Sequence, residues 1–82
     1  MYKMFVVYAK SKCPFCKKAI AALEGRKIQH KVNFISDTVA TIAMLRANGS
    51  LPQNSVHKTV PIVFGSNGEF IGGCDALLRS LM

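Results

Sequence analysis

The chain has 82 residues and a formal net charge of +7, a length that suits one domain over residues 1–82. Half of its residues are hydrophobic and 18% are charged, which excludes a disordered segment, because disorder requires low hydrophobicity. The run from Tyr2 to Ala9 is apolar apart from Lys3 but too short for a membrane span or a cleavable leader, so a cytoplasmic, monomeric protein is expected.

Phe5-Val6-Val7-Tyr8 has no polar interruption and predicts a strand buried on both faces. A short basic loop leads into Cys13-Pro14-Phe15-Cys16. From Pro14 the spacing becomes helical, with Phe15, Ala19, Ala22 and Leu23 on one face. Proline suits a first helical position, where its missing N–H would have no helical partner. Gly25 is the expected stop. Lys31 to Ile35 alternates and predicts a second strand. Ser36 or Asp37 can cap the next helix, which carries Val39, Ile42, Ala43 and Met44 and ends at Asn48-Gly49.

Leu51 to Lys58 is expected to be an irregular loop containing Pro52. Pro61-Ile62-Val63-Phe64 predicts a third strand and Glu69-Phe70-Ile71 a fourth. Between them Asn67-Gly68 is a strong hairpin signal, since both residue types tolerate positive φ. Gly72-Gly73 opens a last helix whose Leu77, Leu78 and Leu81 should pack inward. The order is therefore β-α-β-α-β-β-α, an α/β chain. Its first two strands should pair in parallel through a right-handed crossover, and its last two should form an antiparallel hairpin.

The cysteines carry the chemistry. A small secreted domain would spread an even number of cysteines to staple its loops, but here Cys13 and Cys16 sit together and Cys74 stands apart. Closing the short Cys13–Cys16 loop is worth roughly 2 kcal/mol, and a Cys13–Cys74 bridge would be worth roughly 4 kcal/mol. A staple favours the long span, whereas a bond that opens and closes favours the short one, so the pair reads as redox-active. Thiol–disulfide exchange needs a thiolate, and a residue just before a helix receives that helix's unpaired N–H groups and positive end. Cys13 is placed to attack a disulfide. Cys16, one turn later and more buried, is placed to resolve the mixed disulfide.

Half a zinc site is the alternative for such a pair. The remaining candidate ligands, Cys74, His30 and His57, lack ligand spacing, so no metal is expected and the histidines read as ordinary surface or loop residues. Seven of the eleven basic residues are Lys10, Lys12, Lys17, Lys18, Arg26, Lys27 and Lys31. That run is either a solvated face or an attractor for an anionic substrate near Cys13. Nucleic acid ranks below both, because no aromatic stacking array or arginine-rich arm accompanies the charge.

Three motifs in order, Cys13-Pro14-Phe15-Cys16, Thr59-Val60-Pro61 and Gly72-Gly73-Cys74-Asp75, resemble those of a glutaredoxin over nearly the whole chain. The resemblance implies a thioredoxin fold, a four-stranded mixed sheet flanked by three helices. It also implies a thiol–disulfide oxidoreductase that uses glutathione as redox co-substrate to reduce protein disulfides and glutathione mixed disulfides.

A cis bond before Pro61 would expose the Val60 backbone, beside Thr59, to the cysteinyl backbone of glutathione. Backbone N–H groups around Gly73 and Cys74 would hold the γ-glutamyl carboxylate, and Asp75 its ammonium. Lys10 matches the position suited to the glycyl carboxylate. Phe15 replaces a commoner tyrosine, and Lys58 stands where a basic residue is frequent. Cys74 reads as a passenger thiol lending backbone contacts. Partners implied are glutathione and disulfide-containing or glutathionylated proteins, ribonucleotide reductase being one family-level candidate. The rival readings are a related redoxin recharged by thioredoxin reductase, and a non-catalytic protein holding a metal, an iron–sulfur cluster or nucleic acid.

Overall fold

A computed structural model of the chain describes residues 4–52 and 58–82. Its elements are β1 (Phe5–Ala9), α1 (Pro14–Gly25), β2 (His30–Phe34), α2 (Thr38–Ala47), β3 (Ile62–Phe64), β4 (Phe70–Gly72) and α3 (Cys74–Ser80). They form one mixed sheet in the order β2-β1-β3-β4. β1 pairs in parallel with β2, Phe5 opposite His30 and Ala9 opposite Phe34. It pairs antiparallel with β3, Val6 opposite Phe64 and Tyr8 opposite Ile62. β3 and β4 form the expected hairpin, with a register shift at Val63/Phe64. The element order and the mixed sheet are those expected from the sequence, and the strand ends move by a residue or so.

Successive strand residues point to opposite faces, so β1 and β3 feed two cores. Val7, Ala9 and Val63 join Cys16, Ala19, Leu23, Cys74 and Leu77 under α1 and α3. Ile62 and Phe64 join Ile42, Leu45 and Leu51 under α2, with Val6 and Tyr8 packed against them. The double-sided burial expected of β1 is complete only on the first face. On the second, Val6 and Tyr8 are half-buried beneath the single helix α2. Tyr8, Phe64 and Phe70 form a row of rings there, with centroids 6.0 Å and 5.7 Å apart.

Expectations about which residues face inward are corrected on α1, α2 and β2. The inward stripe of α1 is Cys16, Ala19, Ile20 and Leu23, at spacings of three, four and seven, while Phe15 is 61% exposed and Ala22 half-buried. On α2 the inward residues are Ile42 and Leu45, whereas Val39, Ala43 and Met44 face outward. Phe34 shares a face with Val32, which packs against the first core, but at the end of the edge strand β2 it is 65% exposed. On α3 Leu77 is buried, and Leu78 and Leu81 pack at the margin of the same core.

Both long helices end alike. At the end of α2, Gly49 N–H donates to Arg46 O (3.2 Å) and Ser50 N–H to Leu45 O (2.9 Å) around Gly49 at φ +83°. At the end of α1, Lys27 N–H donates to Glu24 O and Ile28 N–H to Leu23 O, both at 3.0 Å, around Lys27 at φ +55°. These are Schellman caps with a left-handed residue just past the helix. Gly25, the expected stop, is only the last helical residue, and a lysine takes the left-handed position. Asp37 is the N-cap of α2, its Oδ1 accepting from Ala40 N–H at 3.0 Å. The hairpin turn closes through Gly65 N–H to Glu69 O (2.8 Å) and Gly68 N–H to Gly65 O (3.0 Å). Among the described residues no helix is long and apolar enough to cross a membrane. The central part of the loop expected at 51–58, with His57, lies outside the described residues.

Candidate functional site

β1 ends at Ala9 and a short loop carries the chain to the start of α1, where Cys13 is the N-cap, extended at φ −103° and ψ 113°. Lys10 O accepts from Cys13 N–H at 3.3 Å, and Cys13 O accepts from Lys17 N–H at 3.1 Å. Pro14 opens the helix without an N–H, and the amide that meets the Cys13 side chain is that of Cys16, at the usual N3 position of a cap. That N–H donates to Cys13 Sγ at 3.2 Å. The sulfur thus does the work that serine or aspartate oxygen does at ordinary N-caps.

The two cysteines differ in environment. Cys13 is partly exposed, and Cys16 is 1% exposed within the α1–α3 core. Burial, and then the adjoining Cys13 sulfur, push the Cys16 thiol up to about 11, against a smaller opposing effect of the Lys10 backbone. Cys74 is buried in the same core, and burial raises its thiol too, against the pull of the Lys18 charge. All three thiols are free.

Cys13 Sγ lies 4.0 Å from the carbonyl of Val60, in the loop before β3. The Val60–Pro61 bond is cis, as the resemblance implied. Beside it a groove of about 310 Å³ is lined by Phe15, Thr59, Val60, Pro61, Gly73, Cys74, Asp75, Ala76 and Arg79. The fold therefore gathers three distant stretches, the α1 start, the loop before β3 and the α3 start, at one end of the sheet. Phe15, displaced from the expected core, forms a wall of this groove.

Two sequence-chosen residues lie differently. Lys10 meets the site through its backbone and is absent from the groove lining. Lys58 lines a separate hollow with Val39, Ile42, Ala43 and Arg46. Two residues are added, Ala76 and Arg79. Arg79 stands four positions after Asp75, a spacing that puts the two on one helix face and could have marked it in the sequence. Another hollow, about 340 Å³ between Met4, Tyr8, Leu45 and Phe64, opens on the α2 face and has no cysteine among its described lining residues. Among the described residues no three His, Cys, Asp or Glu side chains gather as a metal site would require.

The glutaredoxin family model matches residues 5–71. The chain belongs to the glutaredoxin family. A probable glutaredoxin of Acanthamoeba polyphaga mimivirus is 34% identical over 82 aligned positions, covering 94% of this chain and 76% of the viral protein. Among solved structures, the holo form of glutaredoxin C1 from Populus tremula x tremuloides superposes with a TM-score of 0.72 at 27% identity, covering 98% of this chain and 68% of that one. A buckwheat glutaredoxin crystallised as a glutathione complex superposes with a TM-score of 0.71 at 27% identity, covering 94% and 66%. The family makes the chain a thiol–disulfide oxidoreductase with the thioredoxin fold.

Proposed function

We propose that the chain is a glutathione-dependent disulfide reductase in which Cys13 is the nucleophile and Cys16 the resolving thiol. The observation that carries this reading is the groove that opens beside the Cys13 sulfur, with the Val60 backbone on one side and Asp75 on the other. The glutathione bound to the related buckwheat protein supports the same occupant.

In the one-cysteine route the Cys13 thiolate attacks the glutathionyl sulfur of a mixed disulfide. The Cys13–glutathione bond forms, the original S–S bond breaks, and the target leaves as a thiolate that takes a proton from solvent. A second glutathione thiolate then attacks the glutathionyl sulfur, releasing oxidised glutathione and restoring Cys13. In the two-cysteine route Cys13 attacks a protein disulfide and Cys16, after losing its proton, attacks the Cys13 sulfur. The target leaves as a dithiol and the Cys13–Cys16 disulfide remains, to be reduced by two glutathione molecules.

The Cys16 N–H stabilises charge on the attacking sulfur, a charge-assisted bond stronger than a neutral one. Asp75 is suited to the ammonium of the γ-glutamyl group, and the Val60 backbone to strand-like pairing with the cysteinyl residue. Lys12, Lys17 and Lys18, exposed around the start of α1, raise the encounter rate with anionic partners.

The test is turnover of a small glutathione mixed disulfide, coupled either to glutathione with glutathione reductase or to thioredoxin reductase. Glutathione-coupled turnover that persists in Cys16→Ser and vanishes in Cys13→Ser is the expected result. Turnover with thioredoxin reductase alone would replace this reading with that of a redoxin.

A further inference from the structure

We propose that the hollow beside α2 docks an acidic segment of the protein target, one that carries a carboxylate next to an apolar side chain, while the target's disulfide meets Cys13. The inference rests on the glutathione reading above and names the kind of target that reading leaves open. The hollow, about 310 Å³, is lined by Val39, Ile42, Ala43, Arg46 and Lys58. Three of these are apolar and the other two are cations. Asp and Glu number four in the chain, all among the described residues, and none of them lines the hollow. Asp37, at the start of the same helix, is engaged in its capping bond to Ala40 N–H. The lining is therefore apolar or positive throughout, and a ligand that complements it brings a carboxylate and a hydrocarbon side chain together.

The composition of α2 points the same way. Its ten residues include one charge, Arg46. A helix that is apolar all round is normally covered all round. Here Ile42 and Leu45 meet the core, whereas Val39, 78% exposed, and Ala40, Ala43, Met44 and Ala47 face outward. A second copy of the chain makes a poor cover, because two molecules of net charge +7 would bring like charges face to face. Glutathione makes a poor one too, since it has no apolar side chain to set against Val39, Ile42 and Ala43. The hollow also borders the site. Lys58 stands two residues before Val60, a span of at most about 7 Å of chain, and the Val60 carbonyl lies 4.0 Å from Cys13 Sγ. A target chain with its cysteine at Cys13 can thus reach the hollow within a few extended residues.

The deciding experiment compares two glutathione mixed disulfides. One is with 2-mercaptoethanol, and the other is with the cysteine of a short peptide that bears leucine and glutamate a few residues beyond it. The wild type should favour the peptide by about tenfold in kcat/KM, mainly through KM. Changing the peptide's leucine to serine, or its glutamate to glutamine, should each remove part of that preference. Val39→Lys and Ala43→Lys add positive charge but spoil the apolar wall. Both should abolish the preference and leave turnover of the 2-mercaptoethanol compound unchanged, which also shows that they are folded. A preference that survives or grows in the lysine variants would reduce the effect to long-range attraction and overturn the docking site. Equal losses on both substrates would assign the hollow to glutathione and overturn it as well. So would a wild type that sediments as a dimer while Val39→Lys is monomeric, because the face would then belong to a second copy. A wild type that turns over both compounds equally overturns the docking site and leaves the glutathione reading standing. One that turns over neither overturns both.

Discussion

The amide of Cys16 donates to the sulfur of Cys13 at 3.2 Å, so the nucleophile proposed here is also the cap of its own helix. The two roles separate under mutation because a hydroxyl caps as well as a sulfur but does not exchange disulfides. Cys13→Ser should lose all turnover and keep the stability of the wild type, whereas Cys13→Ala should lose turnover and be about 1 kcal/mol less stable than the serine form. Denaturant unfolding of the two variants beside their activities checks this. Equal stability of the serine and alanine forms would remove the capping role.

Burial leaves Cys16 a neutral thiol at neutral pH, with its ionisation pushed up to about 11. Once Cys13 is tied up as a mixed disulfide it no longer repels a second anion, but the burial of Cys16 persists. Formation of the Cys13–Cys16 disulfide should therefore accelerate by nearly tenfold per pH unit through the neutral and mildly alkaline range. Stopped-flow trapping of a preformed Cys13–glutathione adduct measures the step directly. A rise that levels off near pH 9 rather than near 11 would mean that Cys16 ionises as an exposed thiol does.

The same shift makes stability depend on pH. The folded-state value stands above the ordinary thiol value of 9.0, so the native protein holds its proton longer than the unfolded chain. Stability should be intact below pH 9 and should fall as pH rises toward 11, at up to about 1.4 kcal/mol per pH unit for one such group. Cys74 acts in the same direction. Urea unfolding at stepped pH should show a shallower decline in Cys16→Ala than in the wild type.

Lys27 holds a left-handed conformation at φ +55° that Gly49 holds in the matching cap of α2. A Cβ is disfavoured there, so Lys27→Gly should stabilise the fold by up to about 1 kcal/mol, despite the extra freedom that glycine gives the unfolded chain. The gain should appear as a higher unfolding midpoint with unchanged kcat/KM. Gly72 presents the opposite case. At φ +131°, with the Ala76 Cβ 2.9 Å from where its own Cβ would stand, Gly72→Ala should destabilise by about 1–3 kcal/mol and raise KM by shifting the start of α3. Normal stability and KM would show that the turn tolerates a side chain.

The element order and the site's three motifs were legible because they rest on local signals: strand runs without polar breaks, Pro14 at a helix start, Asn67-Gly68 in a hairpin. Which hydrophobic residues face the core was less so. Phe15, Val39 and Met44 satisfy a helical spacing as well as Cys16, Ile42 and Leu45 do, and the choice of face depends on the neighbouring elements. The burial of Cys16 was legible from its place one turn into the helix, but Cys74, read as a passenger thiol, belongs to the larger core as well. The left-handed cap at Lys27 was hidden because glycine two positions earlier offered the more favourable residue type. Arg79 was missed because the motif ends at Asp75, and a helix projects its site one turn beyond any short motif.

β3 and β4 join the two far walls of the groove, since the Val60–Pro61 segment enters one strand and Gly73 leaves the other. Their spacing is held by cross-strand hydrogen bonds rather than by a mobile arm. A ligand arriving there meets a slot of preset width, like the gap of a fixed spanner. Affinity can then be tuned by exchanging side chains along its rim without re-engineering any motion.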